Sequence, residues 1–145
     1  MNEKQILAVV IDGQGGGMGR ALVEQLKKNV PELHIRALGT NAMATAAMLK
    51  AGADDGATGE NAVIYNVHRA QLILGPVGIL VSNGLLGELT PAMAAAIGES
   101  DAVKILLPSQ RCGIRLAVGA PQPLQAYLAE AVRLVKEELR TLTLR

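Results

Sequence analysis

A glycine-rich stretch near the amino terminus reads Asp12-Gly13-Gln14-Gly15-Gly16-Gly17-Met18-Gly19-Arg20. It separates an aliphatic run, residues 6–11, from an amphipathic segment, residues 20–29. The run predicts a strand covered on both faces, and the segment predicts a helix. Glycines let the backbone turn sharply between them and approach a ligand without Cβ clashes. The stretch therefore predicts a strand, a tight glycine-lined turn and a helix.

Strand and helix signals alternate along the rest of the chain. Further strands are predicted over residues 33–38, 54–57, 71–74 and 103–107, with a possible sixth over residues 114–118. Helices are predicted over residues 42–51, 59–67 and 91–97 and from residue 124 onward, whereas residues 79–81 are too few to assign. This alternation predicts an α/β fold in one domain, residues 1–145. We expect a Rossmann-like, three-layer, doubly wound architecture with a mostly parallel sheet of five or six strands.

Composition narrows the classes of function. Half of the 145 residues are hydrophobic and 19% are charged, which favours a folded domain. The net charge of +1 offers no basic field for DNA or acidic lipid, and two tyrosines without Phe or Trp provide few stacking platforms for single strands. One cysteine excludes an internal disulfide and a cysteine zinc cage. With no signal-peptide pattern and no unbroken apolar span, we expect a cytoplasmic protein without nucleic-acid or membrane partners.

The glycine-rich turn is the main candidate binding site. The helix after it directs free N–H groups and its positive dipole end toward the turn, where phosphate is the natural ligand. Other strand ends would face the same crevice. The predicted cofactor-binding residues are Gly13, Gln14, Gly15, Gly16, Gly17, Met18, Gly19, Thr40, Asn41, Gly75 and Pro76. The alternative is a set of turns that serve only to pack helices on the sheet.

The glycine spacing narrows the type of nucleotide turn. Met18 occupies the place of the third glycine in G-x-G-x-x-G, and no G-x-x-x-x-G-K-[ST] motif is present. Gly13, Gly17 and Gly19 instead give G-x-x-x-G-x-G, which resembles the nucleotide turn of short-chain dehydrogenases. The resemblance implies an NADP- or NAD-like cofactor with its ribose near Thr40 and Asn41.

The same resemblance leaves the cofactor open. That family binds the ribose hydroxyls of NAD with an acidic residue after the second strand, and residues 39–41 contain no carboxylate. A phosphorylated ribose or another nucleotide is therefore an alternative. Asp54 or Asp55 would lie where the family contacts adenine, although a solvated loop acid is the simpler interpretation.

The catalytic pair of that family is missing. Short-chain dehydrogenases use Tyr-x-x-x-Lys, but Tyr65 is followed four residues later by Arg69, and Tyr127 by Ala131. We therefore expect no short-chain-dehydrogenase catalysis, and the catalytic residues, if any, are unknown.

A second resemblance covers nearly the whole chain. The motifs that carry it are residues 10–17, 39–41, 51–54, 56–63, 65–66, 75–79, 86–91 and 111–112. Together they resemble an uncharacterised bacterial family, the domain of unknown function 3842. The resemblance implies a Rossmann-like fold and no particular reaction.

Three further residues are candidates for chemistry. Glu60 lies two residues after Thr58, at the start of a predicted helix. If Thr58 caps that helix, residues 58–61 have a purely structural role. Arg111 could hold a phosphate, and Cys112 could act as a nucleophile, although a lone cysteine is more often a small apolar residue. His34 and His68 lack the spacing of metal ligands, so no metal site is predicted.

Three functions follow from these features. The first is binding of a nucleotide or another phosphorylated small molecule at the glycine-rich turn. The second is a non-catalytic regulatory or assembly module that forms a homo-oligomer, because the apolar residues between 72 and 97 must be covered. The third is a small enzyme that acts on a phosphorylated metabolite through Glu60, Arg111 or Cys112.

Overall fold

The computed structural model describes residues 5–109 and 113–144, which form five strands and five helices. The strands are β1 (Leu7–Asp12), β2 (His34–Gly39), β3 (Asp55–Thr58), β4 (Leu72–Pro76) and β5 (Val103–Leu107). The helices are α1 (Gly17–Asn29), α2 (Ala42–Lys50), α3 (Glu60–Val67), α4 (Pro91–Glu99) and α5 (Leu124–Thr143). A short 3₁₀ helix, Val77–Leu80, follows β4.

The strands form one parallel sheet in the order β3-β2-β1-β4-β5. Helices α1, α2 and α5 contribute to the apolar core on one face, and α3 and α4 to the core on the other. Val9 and Val10 of β1 point to opposite faces, and both are fully buried. The three-layer α/β prediction is confirmed.

The strand order places a crevice beside β1. The chain builds outward from β1 through β2 to β3, then crosses the sheet to β4 and β5. Order therefore reverses between β1 and β4, which pair with Val10 opposite Leu74. Open α/β sheets bind ligands at such a reversal, outside the carboxyl ends of the strands.

Two local predictions are wrong. Residues 114–118 form no strand, because Leu116 and Val118 lie in an irregular and largely exposed connection between β5 and α5. Gly113 and Gly119, which lie on either side of this segment, adopt positive φ values of 70° and 92°. Thr58 does not cap α3, since Gly59 is its N-cap and the Thr58 hydroxyl lies 2.8 Å from the Thr45 hydroxyl.

Side chains cap the starts of α2 and α4. Asn41 Oδ1 accepts a 2.9 Å hydrogen bond from the N–H of Ala44 at the start of α2. Thr90 Oγ1 accepts one of 3.1 Å from the N–H of Met93, with Pro91 at the first position of α4. Each side chain satisfies a helix donor that would otherwise lack a partner.

None of the helices in residues 5–109 and 113–144 is long and apolar enough to cross a membrane.

Candidate functional site

The glycine-rich turn lies at the sheet reversal and lines a cleft of about 400 Å³. The cleft is lined by the end of β1, the end of β4, Ser109 and Leu124, which is the first residue of α5. Its lining residues are Asp12, Gly13, Gln14, Gly15, Gly16, Gly17, Met18, Pro76, Leu85, Ser109 and Leu124. A volume of this size suits a small molecule.

Asp12 joins the two ends of the turn. Its Oδ1 accepts a 2.8 Å hydrogen bond from the Gly13 N–H, and its Oδ2 accepts one of 2.6 Å from the Gly19 N–H. The carboxylate is only 5% exposed, and this burial raises its pKa. The N–H groups of Gly19 and Gly13 lower that pKa in part, while the negative charge of Glu88 raises it. Asp12 thus fixes the turn and satisfies one donor at the start of α1.

Glu88 ties the turn to the end of β2. Its Oε1 accepts hydrogen bonds from the Gln14 N–H at 2.7 Å, the Thr40 hydroxyl at 2.6 Å and Asn41 Nδ2 at 3.1 Å. The Gln14 N–H and then the Thr40 hydroxyl lower the pKa of Glu88. Asn41 Nδ2 also donates to the Gln14 carbonyl at 3.0 Å. Thr40 and Asn41 therefore lie beside the turn. Although residues 39–41 contain no carboxylate, Glu88 provides one beside them.

Sequence reasoning missed Glu88 because it lies 74 residues after Gln14. Its only signal was membership of the 86–91 motif, which gave no hint of its partners. The loop that carries it has unusual backbone geometry. Asn83, Leu85 and Leu86 adopt φ values of 64°, 57° and 58°. This conformation is strained for leucine, and the contacts of Glu88 and Leu85 with the turn help to hold it.

Three glycines of the turn are required by packing. A Cβ on Gly13 would lie 2.5 Å from Thr40 Oγ1 and 2.7 Å from Glu88 Oε1. One on Gly16, whose φ is 73°, would lie 2.9 Å from the Ala44 Cα, and one on Gly19 would lie 2.7 Å from Met48 Sδ. These residues let α1 and α2 approach the end of β1 closely.

Gly15 and Gly17 have no such constraint. A Cβ on either would meet no atom within 4 Å, and neither residue has a positive φ. Both line the cleft and are exposed. Among the described residues, neither N–H donates to a protein acceptor. Two residues that line the cleft therefore have backbone donors without an acceptor among the described residues, at positions where packing does not require glycine.

The end of β4 forms the opposite wall of the cleft. A Cβ on Gly75 would collide with the carbonyl oxygen of Ile11, so glycine permits the close approach of β4 to β1. Pro76 follows it and lines the cleft. Of these two predicted residues, Pro76 therefore lines the cleft, whereas Gly75 packs against β1 and does not line it.

Other candidates lie elsewhere in the fold. Asp54 binds Lys27 Nζ at 2.8 Å, and Asp55 binds Arg36 Nε at 2.8 Å and His34 Nε2 at 3.1 Å. Asp55 pairs with Arg36, three residues before the carboxyl end of β2, so neither acid is at the turn. The simpler interpretation of Asp54 and Asp55 was a solvated loop acid. Each of them instead forms an ion pair within the protein.

Glu60 also has a partner. Its Oε2 accepts a 2.5 Å hydrogen bond from the Thr90 hydroxyl, which links the starts of α3 and α4. Arg111 and Cys112 lie outside the described residues. No group of three or more potential metal ligands is close enough to hold an ion within residues 5–109 and 113–144.

The two tyrosines lack lysine partners of the dehydrogenase type. The Arg69 guanidinium lies 3.5 Å from the centroid of the Tyr65 ring, a cation–π contact on α3. The Tyr127 hydroxyl accepts a 2.9 Å hydrogen bond from the Gln122 N–H, and its ring packs against the core beside α5.

Comparison with known proteins identifies the family. Residues 6–140 match the family model described as Domain of unknown function (DUF3842). The chain belongs to this family. No curated protein sequence matches it.

Two solved structures are similar to this member of the family. A dodecameric FMN-dependent UbiX-like decarboxylase from Escherichia coli O157:H7 has 15% identity and a TM-score of 0.52, covering 93% of this chain and 94% of its own. A universal stress protein in complex with cAMP has 18% identity and a TM-score of 0.42, covering 72% and 98%. The decarboxylase likeness agrees with the α/β fold.

Proposed function

We propose that this chain binds a nucleotide or another phosphorylated small molecule in the cleft between β1 and β4. The observation that carries the proposal is the pair of backbone donors at Gly15 and Gly17. Both residues line the cleft, their N–H groups have no protein acceptor among the described residues, and no neighbouring atom would forbid a side chain there. Phosphate oxygens accept hydrogen bonds from such donors at the start of a helix.

The electrostatics of the turn shape the proposal. The N–H of Gly19 already donates a hydrogen bond to the carboxylate of Asp12 and is not available to a ligand. A ligand would therefore lie at the tip of the turn and not within it. Asp12 and Glu88 hold both sides of the turn in place. This preorganisation reduces the entropy lost when the tip binds a ligand. NADP and NAD stay among the candidate ligands, together with mononucleotides.

The test is binding of phosphorylated probes to matched glycine variants. AMP, FMN, NAD, NADP and inorganic phosphate are titrated by calorimetry. FMN is included because the decarboxylase of similar fold is described as FMN-dependent. Gly15→Ala and Gly17→Ala place a methyl group in the cleft, and we expect at least one probe to bind about tenfold more weakly, or about 1.4 kcal/mol.

The matched control is Gly98→Ala in α4, where a Cβ also meets no atom within 4 Å. We expect wild-type affinity from it and unchanged folding of all three variants. Absence of binding by every probe would contradict the proposal, as would equal affinities of the turn variants and the control.

We also propose that the chain forms a homo-oligomer through a surface around Leu86 and Met43. Their side chains are 93% and 69% exposed. The segments that carry them adjoin, since Asn41 Nδ2 lies 3.1 Å from Glu88 Oε1. Exposed apolar side chains on adjoining segments favour association with a like surface.

Sedimentation velocity tests the oligomer. Wild type should sediment as an oligomer and the Leu86→Ser, Met43→Ser double variant as a smaller species. Leu144→Ser is the matched control, because Leu144 is 87% exposed and lies at the far end of α5. A monomeric wild type would contradict this second proposal and leave the first unaffected.

A further inference from the structure

A second cavity adjoins the cleft. Gly15 and Gly17, the residues of the proposed phosphate site, do not line it. Its volume is about 570 Å³, and it lies within the connection from β5 to α5. Apolar side chains form most of its wall: Pro108, Ile114, Leu116, Val118, Pro121 and Tyr127. Leu116 is 41% exposed and Val118 is 70% exposed, so part of this apolar surface is accessible to solvent.

The cavity and the cleft are neighbours along two elements. Ser109, two residues after β5, lines both. On α5, Leu124 lines the cleft and Tyr127 lines the cavity. Residues three apart lie on the same face of a helix, so one face of α5 forms a wall of both spaces.

We propose that the ligand is bipartite, with its phosphate at Gly15 and Gly17 and an attached ring system in the cavity against Leu116 and Tyr127. This inference rests on the proposed function, because it takes the phosphate position from it. A planar ring has the large apolar area that aliphatic and aromatic walls bind, and edge polar atoms would face solvent or Arg115, which also lines the cavity. The ligand class is therefore a ring-bearing phosphate such as a nucleotide, and not a simple sugar phosphate.

Affinity for matched probes tests the ring position. AMP and FMN carry a ring and a phosphate, whereas ribose 5-phosphate carries the phosphate and sugar alone. We expect at least one ring-bearing probe to bind wild type tenfold or more tightly than ribose 5-phosphate. The Leu116→Ser, Val118→Ser double variant should lose that advantage while its affinity for ribose 5-phosphate stays the same.

Leu49→Ser is the matched control, because Leu49 is 40% exposed and belongs to α2. It should keep the advantage of the ring-bearing probe. All affected side chains are partly or largely exposed, so thermal unfolding should show that each variant folds as wild type does.

Tyr127 offers a readout that does not depend on affinity. The chain has two tyrosines and no Phe or Trp, so a Tyr65→Leu variant assigns the Tyr127 ring protons in an NMR spectrum. The ring-bearing probe should shift the Tyr127 signals by ring currents, and ribose 5-phosphate should not.

Each outcome has a separate meaning. If ribose 5-phosphate binds as tightly as both ring-bearing probes and Gly15→Ala weakens all three, the ring position is wrong and the phosphate site stands. An advantage that survives the double variant, without movement of the Tyr127 signals, also overturns the ring position. If no probe binds, the proposed function fails and the bipartite ligand fails with it.

Discussion

The carboxylate of Asp12 accepts a 2.6 Å hydrogen bond from the backbone N–H of Gly19, seven residues further along the chain. The other carboxylate oxygen accepts from Gly13, so one buried side chain closes the whole glycine-rich turn. Its position at the end of β1 converts a flexible sequence into a defined loop. At the tip of the turn, Gly15 and Gly17 stay exposed and are the residues left for a ligand.

Replacement of Asp12 by alanine should destabilise the protein at pH 7. The N–H groups of Gly13 and Gly19 would both lose their acceptor in a buried place, and the expected loss is about 1–3 kcal/mol. Urea denaturation measures it. Asp101→Ala is the control, because Asp101 is exposed and its side chain makes no hydrogen bond or ion pair with the described residues; it should change stability by about 0.5 kcal/mol or less. Equal losses for the two variants would show that Asp12 does not hold the turn.

Glu88 should make stability depend on pH in the acid range. Its folded pKa is lowered below 4.5 by the Gln14 N–H and the Thr40 hydroxyl, so the ionised form favours folding. The stabilisation is complete above the unfolded pKa and is lost as the pH falls through the folded pKa. Glu88→Gln should therefore be less stable than wild type at pH 7, and the gap should shrink below pH 4.5.

Thermal unfolding at a series of pH values measures that gap. Glu99→Gln serves as the control, since Glu99 is an exposed residue at the end of α4. A Glu88→Gln gap that is constant from pH 3 to pH 7 would rule out an ionised Glu88 as the source of the stabilisation.

Alanine should separate the glycines of the turn into two classes. Gly16→Ala meets the backbone of Ala44 and requires a left-handed conformation, so we expect a loss of about 1–3 kcal/mol. Gly15→Ala meets nothing and should change stability by about 0.5 kcal/mol or less. Denaturation curves for the two variants provide the comparison. Similar losses at both positions would mean that the tip is packed and is not a free binding surface.

The sheet was predictable because each buried strand is a short aliphatic run bounded by glycine or polar residues. The partly exposed edge strand over residues 103–107 was also predicted, with bounds identical to those observed. The beginning of α1 was less predictable, since Gly17 and Gly19 are poor helix formers whose place depends on Asp12. The strand predicted over residues 114–118 was wrong because it rested on aliphatic composition alone. In the described sheet, no strand pairs with this segment.

The candidate site was predictable only in part. The glycine-rich turn and the ends of β2 and β4 meet because parallel strands bring their carboxyl ends to one edge. Glu88 was not predictable, because hydrogen bonds between residues 40 and 88 leave no local pattern in one sequence. The sequence also could not show which glycines of the turn are required by packing. Only the structure shows that some of them pack against Thr40, Ala44 and Met48 while others meet no atom.

Binding of phosphate at Gly15 and Gly17 can be observed in the backbone amide NMR spectrum of the protein during titration with the tightest-binding phosphorylated probe. Hydrogen bonds to phosphate should move the amide proton signals of Gly15 and Gly17 downfield and saturate at one ligand per chain, while the Gly98 signal stays in place. Saturable binding with the Gly15 and Gly17 signals unmoved would contradict the claim that the tip of this turn holds the phosphate.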